Sequence, residues 1–207
     1  MSLIDALTRL QNLKVGVFQT SDAAVCLGVS RGTASKILSR LGASKSVIRL
    51  AQGIWALPGR VDMLAVPEQL TAPWPSYVSL QSALYYHGLI TQIPAVTYAV
   101  SLSRTRLFRN PLGVYSIHQI KPDFFLGYET VGKAGIKMAT PEKALLDILY
   151  FSPARSSLFR KLPEVELSSR FKVKAAREMI RKISSPQRRR LVERKFEDLI
   201  RRLQRSR

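Results

Sequence analysis

The stretch TSDAAVCLGVSRGTASKILS, from Thr20 to Ser39, constrains this chain more than any other. A helix opening at Thr20 or Ser21 carries Asp22 at its positive end. Gly28 supplies the left-handed conformation that a helix C-terminus uses, and Ser30 caps a second helix immediately. Two helices joined by so short a glycine corner form a helix-turn-helix. Counted from Thr20, the remaining positions agree: Ala24 is small where the helices touch, and Ala23, Leu27, Val29, Ala34 and Ile37 are apolar. The competing reading is an unrelated amphipathic helical hairpin.

In the second of these helices Ala34, Ile37, Leu38 and Leu41 recur at i, i+3, i+4 and i+7, which gives one face to bury. The other face holds Arg31, Thr33, Ser35, Lys36, Ser39 and Arg40, with no acidic residue in the helix. Upstream, LIDALTRLQNL puts Leu3, Ala6, Leu7, Leu10 and Leu13 on one stripe behind a Ser2 cap, a further helix. Downstream, SVIRLAQGIWALPG reads as two strands around a turn at Gln52 and Gly53, a hairpin in the position of a wing. Val47, Ile48, Leu50, Ile54, Trp55 and Leu57 are expected to anchor it on the three helices. The winged helix-turn-helix domain is therefore expected over residues 1–60.

Docking physics assigns roles to its polar residues. The N-terminal part of the second helix enters the major groove, which brings Arg31, Thr33, Ser35 and Lys36 to base edges or phosphates, and Gly32 allows close backbone approach. Ser21 and the amides opening its helix suit a phosphate. Arg40 is expected on the DNA backbone, with Arg49 and Gln52 on an adjacent minor groove or phosphates. Each of these residues has the alternative of being a solvated surface side chain.

Charge supports a polyanionic partner. The 207-residue chain has 33 Lys and Arg against 14 Asp and Glu, and a sequence pI near 10.7. The excess lies at the ends: 8 basic against 2 acidic residues over 1–60, 8 against 6 over 61–159, and 17 against 6 over 160–207. A merely solvated basic surface is the bland alternative. Membrane-surface binding competes less well, because the basic helices lack Trp on their apolar faces. No apolar run reaches the ~18 residues of a membrane span, and the N-terminus bears charges where a signal peptide is apolar, so a cytoplasmic protein is expected. One cysteine, Cys26, with His87 and His118 makes no spaced ligand set; neither metal nor cofactor is expected.

Residues 61–76 read as a short helix and a proline-containing linker, and 77–207 as an α+β domain ending in basic helices. VSLQSALYYHGL is a helix capped by Ser79, with Ala83 and Leu84 inward. VTYAVSL, GVYSIHQI, FFLGYETV and GIKMA are β-rich and suggest a small sheet. TPEKALLDILYF has Thr140 as cap, Pro141 at the first helical position and Glu142 in the first turn. Glu142 and Asp147 are five apart and diverge, so they make no acid–base pair, and Asp147 reads as a structural carboxylate. No phosphate loop, serine elbow or His-Glu metal pair is present, and no enzyme active site is expected. Arg104 and Arg106 in SLSRTR either join the DNA footprint or are solvated. After Ser185 and Pro186, a last helix stripes Val192, Phe196, Leu199, Ile200 and Leu203. Arg188, Arg189, Arg190, Arg194, Arg201, Arg202 and Arg205 surround that stripe and are candidates for phosphate contact.

The phrases YVSLQSALYYHGLI, SLSRTR, GIKMATPEKALLDILYF and LPEVEL, following the winged helix, resemble the AbiEi antitoxins of bacterial abortive-infection systems, over about residues 18–200. The resemblance implies a two-domain protein whose winged helix represses its own operon's promoter; separately, paired half-sites would suit two copies on an inverted repeat. It also implies a second domain that counteracts a toxin of nucleotidyltransferase fold without a tight complex. The arginine-rich tail departs from that pattern. Two other readings stand beside it. One is a solitary transcription factor whose α+β domain senses a ligand, which requires a sizeable pocket within residues 77–152. The other, a nuclease, lacks a catalytic cluster.

Overall fold

Helix α1 (Leu3–Gln11) starts at a reciprocal capping box: the Asp5 N–H donates to the Ser2 hydroxyl, and the Ser2 N–H donates to the Asp5 carboxylate. The computed structural model, which describes residues 1–13, 15–132, 134–152, 164–168 and 171–205, packs this helix against α2 (Thr20–Leu27) and α3 (Arg31–Ala43). Gly28 ends α2 at φ 66°, a left-handed conformation a side chain would strain. Two residues later the Ser30 hydroxyl accepts the Thr33 N–H at 3.2 Å and starts α3. Ala6, Leu10, Ala23, Leu27, Leu38 and Leu41 close the core between the three helices.

A three-stranded antiparallel sheet covers this core, in the order β1 (Val17–Gln19), β3 (Ile54–Ala56), β2 (Ile48–Ala51). β2 and β3 join through Gln52 and Gly53, with Gly53 at φ 74°, a left-handed turn position that favours glycine, and the ladder shifts register between Arg49 and Ala51. The hairpin has two apolar faces, which corrects the expectation that its whole apolar set rests on the helices. Val47, Trp55 and Leu57 enter the helical core with Phe18 of β1. Ile48, Leu50 and Ile54 point the other way with Ala56, into a second cluster completed by Val66, Leu70, Phe108, Leu112 and Tyr115. Successive strand residues alternate faces, so a hairpin apolar on both faces must be covered on both.

Residues 61–76, expected as a linker, are packed into the protein. Helix α4 (Val66–Thr71) buries Val66, Pro67 and Leu70. β4 (Ser76–Val78) begins there too, at the centre of a six-stranded mixed sheet. The other strands are β5 (Thr97–Ser101), β6 (Arg106–Asn110), β7 (Gly113–Gln119), β8 (Tyr128–Val131) and β9 (Ile136–Ala139). They lie in the order β6-β7-β5-β4-β9-β8, with β4/β9 and β5/β7 parallel and the other pairs antiparallel. α5 (Leu80–Tyr86), α6 (Pro141–Phe151), α7 (Val173–Arg181) and α8 (Pro186–Arg205) complete this mixed α+β unit. Its core joins Leu84, Met138, Leu145, Ile148, Ile180, Val192 and Phe196. Among the described residues no helix is long and apolar enough to cross a membrane. Leu162 and Pro163 of LPEVEL lie outside the described residues.

Candidate nucleic-acid interface

Burial of Ala34, Leu38 and Leu41 orients α3 and turns Arg31, Gly32, Thr33, Ser35, Lys36, Ser39 and Arg40 outward. At 100° per residue, Gly32, Lys36 and Ser39 stand near the middle of that exposed face, while Arg31 and Thr33 flank it. The Thr33 hydroxyl lies 2.9 Å from that of Ser30, so it shares in capping its own helix. Among the described residues, Arg31, Lys36 and Arg40 take part in no ion pair. Their charge faces solvent.

The start of α2 suits a phosphate less well. Ser21 is exposed, but its hydroxyl leans to Asp22 Oδ1 at 3.4 Å, and the other Asp22 oxygen accepts the Gln19 N–H at 2.8 Å. A phosphate arriving there meets a carboxylate already holding that end of the helix.

Thr20 fixes the hairpin relative to the helices. Its N–H donates to the Gly53 carbonyl at 2.9 Å, and its hydroxyl accepts the Trp55 indole N–H at 3.1 Å. Arg49 pairs across the ladder with Trp55 and lays its guanidinium 5.8 Å from that ring centre. Arg49 and Gln52 are both exposed.

The second sheet adds basic residues beside the hairpin. Asn110, at the end of β6, donates its side-chain amide to the Leu50 carbonyl at 3.3 Å. Arg106 lies over Phe108, 5.4 Å from its ring centre, and Phe108 belongs to the cluster beneath the hairpin. Arg106 therefore flanks the junction of the two units, and exposed Arg104 precedes it in the loop. Arg109 is also exposed on β6, and no sequence motif singled it out.

The tail arginines divide. Arg190 and Arg194 are exposed, and Arg189 is half-buried. Arg188 turns inward: it donates to the Tyr150 carbonyl at 2.8 Å and sits 5.1 Å from the Tyr150 ring centre, which takes it out of an outward phosphate-binding row. Arg201 pairs with the Asp198 carboxylate at 2.6 Å and Arg202 donates to the Asp198 main-chain carbonyl at 3.2 Å, so both already have partners on α8. The Arg205 side chain lies outside the described residues.

The buried polar cluster of the second unit is internally satisfied. Asp147, fully buried, pairs with Lys143 one turn away and accepts from the Ser79 hydroxyl at 2.7 Å and the Tyr77 hydroxyl at 3.1 Å. Burial pushes the Asp147 carboxyl up and the Lys143 amine down, and their mutual attraction opposes both shifts. The Lys143 amine also sits 3.8 Å from the Phe124 ring centre. Ser79 stands at the cap position of α5 as expected, yet its hydroxyl serves Asp147 instead of the helix. Glu142 accepts the Lys172 N–H at 2.7 Å and diverges from Asp147. His87 Nε2 lies 2.7 Å from the Ala139 carbonyl, which makes it the donor, and His118 Nε2 lies 3.0 Å from the Ser116 hydroxyl, in a different setting. No protein-family model and no curated protein matches this chain.

Proposed function

We propose that this protein is a DNA-binding autorepressor and antitoxin, acting in the cytoplasm on the promoter of its own operon. In this reading residues 1–60 are a winged helix-turn-helix, with α3 as recognition helix and β2–β3 as wing. The observation that carries it is the outward face of α3: Arg31, Lys36 and Arg40 are exposed, with no carboxylate paired to them among the described residues. An exposed basic helix face of this kind suits a major groove lined by phosphates. Thr20, the first residue of α2, bonds Trp55 and Gly53 and so ties the β2–β3 hairpin to the helices, which supports its reading as a wing. Arg104 and Arg106 would extend the contact along the backbone, as would Arg190 and Arg194 where the duplex reaches α8.

The antitoxin half of the proposal comes from the AbiEi resemblance: the α+β unit would counteract a nucleotidyltransferase-like toxin. A nuclease footprint on the DNA upstream of the gene tests the repressor half, with protection over paired half-sites expected and an unprotected upstream region contradicting it. Co-expression with an adjacent nucleotidyltransferase-like gene tests the antitoxin half, where restored growth is expected and unrelieved toxicity contradicts it. A second reading, a solitary regulator whose α+β unit senses a ligand, is favoured by one feature, an open cleft of about 600 Å³ lined by residues between 119 and 151 and, outside the expected 77–152, by Arg188 of α8.

A further inference from the structure

The cleft lies where β7 ends, between the short 3-10 helix Pro122–Phe124, the last turn of α6 and the first turn of α8. Gln119, Ile120, Lys121, Pro122, Tyr150, Phe151 and Arg188 line it. At about 600 Å³ it has the capacity of a small-molecule site. Its chemistry is uneven: two cations, one amide, and an apolar floor.

Arg188 is already in place. Its Nη1 donates to the Tyr150 carbonyl and its guanidinium carbon lies 5.1 Å from the Tyr150 ring centre, and that ring also stacks on Phe124 with centres 5.0 Å apart. A guanidinium held in this way loses little freedom when it meets an anion, and its remaining N–H groups match phosphate oxygens. Lys121 is exposed. Neither cation has an ion-pair partner among the described residues. The nearby Asp123 is engaged by the Ser184 N–H at 2.7 Å, which, together with Lys121, holds its carboxyl below the usual range against the opposing effect of burial. Lys121 and Arg188 bring two positive charges to the roughly two negative charges of a phosphate monoester, with the Asp123 carboxylate, already engaged by Ser184, beside them. The space beyond them is far larger than a phosphate, and Ile120, Pro122 and Phe151 supply apolar surface for an organic remainder.

We infer that this cleft is a binding site for a phosphorylated small molecule, an organic phosphate monoester gripped by Lys121 and Arg188. The inference is independent of DNA binding, because it is read on the protein alone. Should the ligand also regulate, β7 is the physical link: its last residue, Gln119, lines the cleft, and Tyr115 on the same strand is buried in the cluster beneath the hairpin.

Isothermal titration calorimetry of the full chain without DNA tests the site, using ribose 5-phosphate, glycerol 3-phosphate and adenosine monophosphate beside ribose and inorganic phosphate. At least one monoester is expected to bind saturably, tenfold or more tighter than inorganic phosphate, with no heat from ribose. Lys121→Gln and Arg188→Gln are each expected to weaken that binding tenfold or more. Arg188→Gln also loses a contact to Tyr150, so its melting temperature is checked, and Lys121→Gln carries the result if that variant is unstable. No saturable binding of any monoester overturns the proposal, as does equal affinity for inorganic phosphate or unchanged binding in Lys121→Gln. So does a loss of duplex-DNA affinity in Lys121→Gln when no monoester binds the wild type, which would make these cations a DNA contact.

Discussion

The Trp55 indole N–H donates to the Thr20 hydroxyl at 3.1 Å across 35 residues, joining the hairpin to the first residue of α2. Both partners are buried, so removing the acceptor strands an N–H away from water. Thr20→Val keeps the shape and deletes that acceptor. It is expected to destabilise the protein by ~1–3 kcal/mol in urea denaturation. An unchanged midpoint would mean that the indole finds water there.

Tyr115 presents the opposite case. Its hydroxyl, in the cluster between the hairpin and the second sheet, is buried with no hydrogen-bond partner among the described residues, and burial pushes it up to about 12. A buried polar group without a partner costs stability. Tyr115→Phe is expected to leave the protein as stable as wild type or to stabilise it by up to ~1 kcal/mol. A clear loss in the same denaturation measurement would show that the hydroxyl is satisfied in solution.

These two contacts show where the sequence is legible. The face of α3 follows from periodicity alone, because Ala34, Leu38 and Leu41 must be buried together and everything between them turns out. β5, β7, β8 and β9 announce themselves as β-prone runs between turn residues. β1 and β4 have three residues each, too few for alternation to register. β6 sits at the edge of its sheet, and its two exposed arginines disguise it as a loop. The second apolar face of the hairpin was visible as Ile48, Leu50 and Ile54, but what covers it lies on α4, β6 and β7, beyond any local pattern. Arg188 was hidden for the same reason: its partner, the Tyr150 carbonyl, is 38 residues away in sequence.

His118 gives a pH signature. Burial lowers it to about 4 from an ordinary value of 6.5, so the folded protein holds it neutral. Between pH 6.5 and about 4 the unfolded chain binds a proton that the native state does not, and stability therefore falls as pH falls through that window and levels off below it. The effect is on the order of 2 kcal/mol for a half-buried ring. His118→Gln is expected to flatten this part of the profile in denaturation series at pH 7, 6, 5 and 4. A variant with the wild-type slope would assign the dependence to other groups.

The tail is best probed by charge. Truncation after Ser184 would remove Val192, Phe196, Leu199 and Ile200 from the core and so confound binding with folding. Arg190→Gln with Arg194→Gln leaves those residues in place, since both arginines are exposed. If both neutralise DNA phosphates, the slope of log K against log salt becomes shallower by about 2. An identical slope would leave them as solvated residues.

The central claim, that α3 reads DNA, is tested most directly by fluorescence anisotropy with a labelled duplex from upstream of the gene. Wild type is compared with Arg31→Ala and Lys36→Ala, two exposed changes that leave the core intact. Each is expected to weaken binding, by ~1–3 kcal/mol where the side chain reads a base. Wild-type affinity in both variants would contradict the assignment of this helix.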